Sequence, residues 1–324
     1  MKALQVHAFD APIQMTNVDI PEPSPGQIRI KIAACGLNFA DLLMQKGTYQ
    51  DTPEPPFTLG MEVAGIVDAI GPDTDAPDVG SRVAVFGGQG GLAEFGCFDV
   101  DRMITLPESM PFSDAAALQI AYGTSHVALD YRAGLQAGET LLVLGAAGGV
   151  GLTAVELGKL MGARVIAVAR GADKCAIATQ AGADHVIDAT DADLRADLKA
   201  LGGVDVVYDP VGGDQFKAAF RACNPEARIL TIGFASGDVP QIPANHLLVK
   251  NIAVLGFYWG GYLAFKPQVV RDSLAQLLNW HSEGALRPHI SHLLPFERAE
   301  DGIDLLRARK STGKVVINVD PTLT

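Results

Sequence analysis

The chain is poor in basic residues. Against 37 acidic side chains it has 25 lysines and arginines, a formal net charge of −12. Nucleic acid or an anionic membrane is bound through a basic face, so neither is expected as a partner. Long apolar runs are also missing: the longest, residues 141–155, is broken by glycines and lies between Glu139 and Glu156, too short to span a bilayer. The amino-terminal Met-Lys-Ala-Leu-Gln-Val-His lacks the apolar core of a signal peptide, which predicts a cytoplasmic location. Only four cysteines occur, Cys35, Cys97, Cys175 and Cys223, with no Cys-x-x-Cys pair, so neither a disulfide framework nor a cysteine-rich zinc lobe is predicted. No histidine pairs with a carboxylate at helical spacing. His289 and His292 come nearest, between Pro288 and Pro295, and no metal site is expected there.

What is present is enough chain for two hydrophobic cores. The 324 residues exceed what one core serves, and 48% hydrophobic residues with 35 glycines and 19 prolines suit an α/β protein with many tight turns. The first 115 or so residues read as mainly β, with strands at 27–33, 61–70, 82–86 and 92–98. Between the first two, residues 38–49 form a short helix or loop, followed by Pro53, Pro55 and Pro56; a long connection on a compact β unit suits a substrate site. From Ala121 helices and strands alternate. Six strands are expected at 141–144, 164–169, 185–188, 205–209, 228–234 and 252–257, which matches a doubly wound parallel sheet. A helix at 267–281 and another at 299–310 precede a closing strand at 314–319, expected to pair back into the first domain. The predicted domains are 1–119, 120–260, and a return to the first over 261–324.

The chain is organised around residues 145–151, Gly-Ala-Ala-Gly-Gly-Val-Gly, between an apolar strand and a helix. Gly148 and Gly149 leave room for phosphate oxygens, and the helix start offers free N–H groups and the positive end of its dipole. Ala146 replaces the first glycine of the usual dinucleotide fingerprint, with Gly148 and Gly151 at the other two positions. The diphosphate site is thus Ala146, Ala147, Gly148, Gly149, Val150 and Gly151. A carboxylate at the end of the second strand would hold a ribose 2′-hydroxyl, and positive charge there a 2′-phosphate. This chain has Ala169, Arg170 and, a turn later, Lys174, which favours NADPH over NADH; the alternative is that both are ordinary solvated charges. Ligands of doubly wound sheets lie beyond the carboxyl ends of the strands, so the loops holding Gly212 and Gly233 should flank the nicotinamide.

The amino-terminal β domain, the glycine turn, Asp-Pro-Val-Gly-Gly at 209–213 and Thr-Gly-Lys-Val-Val at 312–316 together resemble the medium-chain dehydrogenase/reductases, more narrowly their zinc-free NADPH:quinone oxidoreductase (zeta-crystallin-like) branch. The resemblance covers nearly the whole chain. It implies a Rossmann sheet inserted in a mainly β, GroES-like catalytic domain, and an enzyme that transfers hydride from NADPH to a quinone. Asn38 stands where the zinc members have a metal-binding Cys, and Met61 where they have a His, so a metal-free enzyme is expected. Without a Lewis acid, the substrate should be electrophilic already, as a quinone or conjugated carbonyl is. The resemblance places Asn38, Asp41 and Tyr49 facing the substrate, Tyr49 as a proton donor. By their own pattern Asn38 and Asp41 could instead cap a short helix, and Tyr49 could pack on the loop prolines. The resemblance further implies cofactor contacts from Thr124, Phe257 and Arg309, and a homodimer with residues 252–257 as a candidate seam. Thr124 could equally be a helix cap. Ala189 departs from the Tyr that is frequent at that position in the family. Two other readings stay open: an NADPH-dependent reductase of 2-alkenals, enones or enoyl thioesters, and a non-catalytic NADPH-binding or structural protein.

Overall fold

The strand Thr140–Val143 is buried along its whole length, and the unit Ala121–Leu286 is built outward from it. In this computed structural model, which describes residues 1–323, it pairs in parallel with Arg164–Ala169 on one side and Val204–Asp209 on the other. His185–Asp188 lies outside the first neighbour, and Cys223–Thr231 and then Ala253–Gly256 lie outside the second. The result is a six-stranded parallel sheet whose chain order reverses at the central strand, as the alternating sequence pattern predicts. Helices Gly149–Leu160, Ala172–Gln180, Leu194–Ala200 and Gly213–Ala222 form the crossovers. Leu142, Ile166, Val207 and Ile229 from the strands pack with Leu198, Phe216 and Phe220 from the helices, all at most 3% exposed. Each such side chain contributes about 1.5–3 kcal/mol of burial free energy.

The other unit comprises Met1–Ile120 and the segment from Arg287 onward. Its centre is the long strand Gln27–Leu37, whose Ile28, Ile30 and Ile32 point into the core with no exposure. Glu62–Ile70, Phe95–Asp99 and Lys314–Asn318 all pair with it antiparallel. The closing strand therefore does return to the first unit, Val315 opposite Leu37 and Asn318 opposite Ala34. A small second sheet joins Gln14–Asn17, Lys2–Val6 and Phe57–Thr58; it is absent from the sequence reading.

The return comes later than expected. Residues 261–286 belong with the parallel sheet rather than with the β unit, and the chain re-enters the β unit at Arg287. The reason is packing. Helices Trp259–Phe265 and Pro267–Ser282 pack on each other, and the second packs on the π-helical turn Val127–Arg132. His126 Nδ1 lies 2.9 Å from Ser273 Oγ, and its ring meets Trp280 edge-on at 5.3 Å. The first limit falls one residue after the expected one, at Ile120. Helices Phe112–His126, Ala244–Lys250 and Trp259–Phe265 are further additions to the sequence reading. Among the described residues no helix is long and apolar enough to cross a membrane.

One acid is built into the helix that follows the glycine turn. Glu156 accepts a 2.5 Å hydrogen bond from the Tyr122 hydroxyl, and burial pushes its carboxyl up to about 7 against the opposing effect of that bond. A carboxyl raised on folding adds stability that is complete below its ordinary range and is lost as pH rises through the folded value. Glu156→Gln keeps the acceptor and cannot ionise. Relative to wild type it should gain about 1–3 kcal/mol between about pH 5 and about pH 8. Denaturant unfolding of both proteins at both pH values measures this, and a pH-independent difference would contradict it.

Candidate functional site

The glycine turn holds its shape through close backbone approaches. Gly145 adopts φ +59°, and a Cβ there would meet Val211 Cγ2 at 2.9 Å. At Gly151 a Cβ would lie 2.2 Å from the Gly145 carbonyl oxygen, so the helix can start against the turn only with glycine at that position. Ala146 N–H donates to the Val168 carbonyl (2.9 Å) and Gly148 N–H to the Gly145 carbonyl (3.0 Å). Gly148 is exposed and caps the helix without a side chain. The first amide to turn back into the helix is Leu152, to the Gly148 carbonyl (2.9 Å). By helical geometry the N–H groups of Gly149, Val150 and Gly151 have no intrahelical acceptor. This is a backbone cradle with a positive dipole end, which fits a dinucleotide diphosphate.

Several of the expected cofactor residues gather at the same edge of the sheet. Asp209, buried at the end of its strand, accepts from Val211 N–H and Gly212 N–H, both at 2.8 Å, and Gly233 N–H donates to the Asp209 carbonyl (3.3 Å). This joins the Gly212 and Gly233 loops beside the turn. Phe257 N–H donates to the Thr231 carbonyl (3.3 Å), which sets it at the carboxyl end of the last strand. Thr124 is buried. Its neighbour Ser125 bonds the Val150 carbonyl (3.0 Å), Thr153 Oγ1 (2.8 Å) and the Tyr208 hydroxyl (2.9 Å), which ties Thr124 to the first turn of the phosphate helix. Arg170 is exposed just past Ala169, and Lys174 is half-buried one turn on. Asp188 pairs with Ala169 in the parallel register. The Gly171 amide, then Thr190 and the Arg170 charge, hold its carboxyl below the usual range. That acidic neighbour of Arg170 escapes a reading confined to the second strand. Arg309 belongs to the other unit, at φ +55° after the helix Ala299–Arg307.

In the β unit a closed polar cluster lies buried from solvent. Lys314 and Glu62 are 2% and 0% exposed, and Lys314 Nζ lies 2.7 Å from Glu62 Oε1. The ammonium also donates to Asn38 Oδ1 and the Leu37 carbonyl, both at 2.8 Å, which engages all three of its protons. Asn38 Nδ2 donates to Glu62 Oε1 (2.9 Å) and the Gly36 carbonyl (3.3 Å), and Ile120 N–H donates to Glu62 Oε2 (2.8 Å). Asp41 accepts from Asn38 N–H (2.8 Å) and Gly60 N–H (3.2 Å), capping helix Phe39–Gln45. Burial raises its carboxyl to about 6 against those two bonds and Lys314. Asn38 and Asp41 are thus brought together, with their bonds directed into the protein. Tyr49 lies half-buried on the loop after that helix. The partnership of Lys314 with Glu62 is missing from the sequence reading. Its only signal is a charged residue leading a buried apolar run in each of two strands, Lys314–Asn318 and Glu62–Ile70.

Comparison with known proteins agrees with this architecture. Residues 24–108 match the alcohol dehydrogenase GroES-like domain and residues 149–280 the zinc-binding dehydrogenase family. Quinone oxidoreductase-like protein 2 of Bos taurus is 39% identical over 304 residues, 92% of this chain and 87% of the bovine protein. The chain belongs to the medium-chain dehydrogenase/reductase family. Within it the quinone oxidoreductases are its relatives. The Thermus thermophilus quinone oxidoreductase, solved also in complex with NADPH, superposes with a TM-score of 0.87 at 33% identity, covering 98% of this chain and 100% of that one. The Escherichia coli quinone oxidoreductase complexed with NADPH gives 0.92 at 26% identity over 98% and 100%. The family is one of oxidoreductases, and the expected fold, a doubly wound sheet inserted in a GroES-like domain, is the one observed.

The zinc in the family description does not fit these residues. Asn38 offers an amide that is already bonded on both sides, Met61 is a buried thioether, and its neighbour Glu62 is neutralised by an ammonium. No group of three His, Cys, Asp or Glu side chains able to hold a metal occurs among the described residues. Burial pushes the Cys35 thiol well up, which keeps it a neutral, buried side chain here.

Because Lys314 and Glu62 are deeply buried, Lys314→Met should cost about 3–5 kcal/mol by leaving Glu62 unpaired, while Lys314→Met with Glu62→Leu should recover more than half of that. Unfolding midpoints of the four proteins of the cycle measure the coupling, and an additive double variant would refute it.

Proposed function

We propose that this family member is an NADPH:quinone oxidoreductase that works without metal. The observation that carries this reading is the Lys314–Glu62–Asn38 cluster, in which Asn38, at the position where zinc members have a metal-binding Cys, is an amide bonded to both the Lys314 ammonium and the Glu62 carboxylate. NADPH supplies a hydride at its nicotinamide when bound. The chain's part is to hold and orient it. The amides of Gly149, Val150 and Gly151 receive the diphosphate, and Ala146 and Ala147 line the turn. Arg170 and Lys174 face the 2′-phosphate, and Thr124, Gly212, Gly233, Phe257 and Arg309 complete the contacts. Solved relatives complexed with NADPH support this choice of cofactor.

With no Lewis acid to take up alkoxide charge, the reading assigns an acceptor that spreads the incoming charge over a conjugated system. A quinone meets that need, and the names of the relatives favour it. Asn38 and Asp41 act by setting the start of helix Phe39–Gln45 and the loop beyond it. Tyr49, on that loop, donates its phenolic proton to the reduced substrate oxygen. A homodimer joined along the outer edge of Ala253–Gly256, the last strand of the sheet, and a cytoplasmic location complete the proposal.

Oxidation of NADPH and of NADH by 1,4-benzoquinone, 9,10-phenanthrenequinone, 2-hexenal and crotonyl-CoA, in chelator, tests it. Quinone turnover with NADPH preferred is expected. Arg170→Ser should lower the preference for NADPH about tenfold or more, and Tyr49→Phe should lower kcat about a hundredfold with NADPH affinity unchanged. Turnover confined to the alkenal or thioester would move the assignment to enoyl reduction. Activity lost in chelator would overturn the metal-free claim, and tight NADPH binding without any turnover would favour a non-catalytic protein.

A further inference from the structure

The amino-terminal edge of the parallel sheet carries a second, oppositely placed groove. Its volume is about 620 Å³, and its floor is formed where strands Val204–Asp209 and Cys223–Thr231 begin. The phosphate turn lies at the carboxyl ends of the same sheet, so the groove is separate from the cofactor cradle. Four cations line it, Arg195, Lys199, Arg221 and Lys250, and no aspartate or glutamate does.

In a chain of net charge −12, that grouping is a local reversal of sign. Elsewhere in this unit several cations pair with carboxylates, Lys159 with Asp184, Lys217 with Asp214 and Arg228 with Glu139, while others such as Arg164 and Lys266 bond neutral groups. None of the four groove cations makes such a pair among the described residues. Lys250 is also fixed in place, its ammonium donating to the Arg221 carbonyl (3.0 Å) and the Cys223 carbonyl (3.1 Å). Gathering like charges around one concavity raises the local potential, which a bound anion relieves.

We propose that this groove is a binding site for a diphosphate group, free or carried on an organic molecule. Two arginines offer planar forks that match phosphate oxygens in pairs, and two ammonium groups add point charges, so four positive charges face an anion of comparable charge. The volume exceeds that of pyrophosphate alone. Beside the cations, the exposed His246 ring stacks on buried Phe220, centroids 6.1 Å apart at 24°, and presents a flat face to an attached planar body.

Calorimetric titration of inorganic pyrophosphate, at low salt, into the full chain saturated with NADPH tests the site with the cofactor cradle already filled. Saturable binding is expected, weakened at least about tenfold in Arg195→Gln/Lys199→Gln/Arg221→Gln. That variant should keep the wild-type affinity for NADPH, and should it fail to fold, Lys199→Glu, at an exposed helical position, is read in the same way. ADP in the same titration separates the sources: tighter binding than pyrophosphate indicates an organic diphosphate, and equal binding a free one. No saturable binding of pyrophosphate, or binding that the substitutions leave unchanged, would overturn the proposal.

Discussion

The β unit depends on two opposite charges held where water does not reach. Lys314 and Glu62 are 252 positions apart in the chain, and each would be prohibitively costly to bury alone. Together with Asn38 they form a network in which every donor has an acceptor. That network fixes the junction of the strands Gln27–Leu37, Glu62–Ile70 and Lys314–Asn318 and the start of helix Phe39–Gln45. Gly36 makes the junction possible: a Cβ there would stand 2.0 Å from the Ala116 carbonyl oxygen and 2.8 Å from Glu62 Oε1. The loop assigned to the substrate hangs from this point, so its placement follows from an electrostatic requirement.

The nucleotide unit depends on backbone instead of charge. Its turn needs no ionic group, since glycine at 145 and 151 lets chain and helix approach until three amides face outward. The hydroxyls of Ser125, Thr153 and Tyr208 then bind the helix to its neighbours through side chains. Burial raises the Tyr208 phenol, which keeps it a neutral donor or acceptor and the network uncharged. One unit thus gains its rigidity from a neutralised ion pair and the other from close contacts and hydroxyls.

These different origins explain what the sequence discloses. The glycine turn, its flanking strands and the alternation beyond them are legible because local backbone demands select particular residues at fixed spacings. The Lys314–Glu62 pair is not, since a contact across most of the chain leaves no period. Asn38 and Asp41 read correctly as polar residues beside a short helix, but whether they face a substrate or cap the helix is a question of partners, and the partners are remote. The helix Pro267–Ser282 is recognisable from its apolar stripe. That it packs on residues 127–132, and so belongs to the nucleotide unit, is written nowhere within its own window. Helix Phe112–His126 is buried around most of its circumference, with its polar residues spread around it, and offers no stripe to detect.

The β unit is assembled from two segments that flank the nucleotide unit in the chain, and this has a consequence for biosynthesis. In synthesis from the amino terminus, all six strands of the parallel sheet, the last ending at Gly256, are made before Lys314. Until that lysine emerges, Glu62 has no counter-charge and residues 34–37 lack the partner strand on the side away from Glu62–Ile70. The β unit can therefore close its buried ion pair and its last strand pairing only after the unit encoded within it has been made, when the strand Lys314–Asn318 arrives.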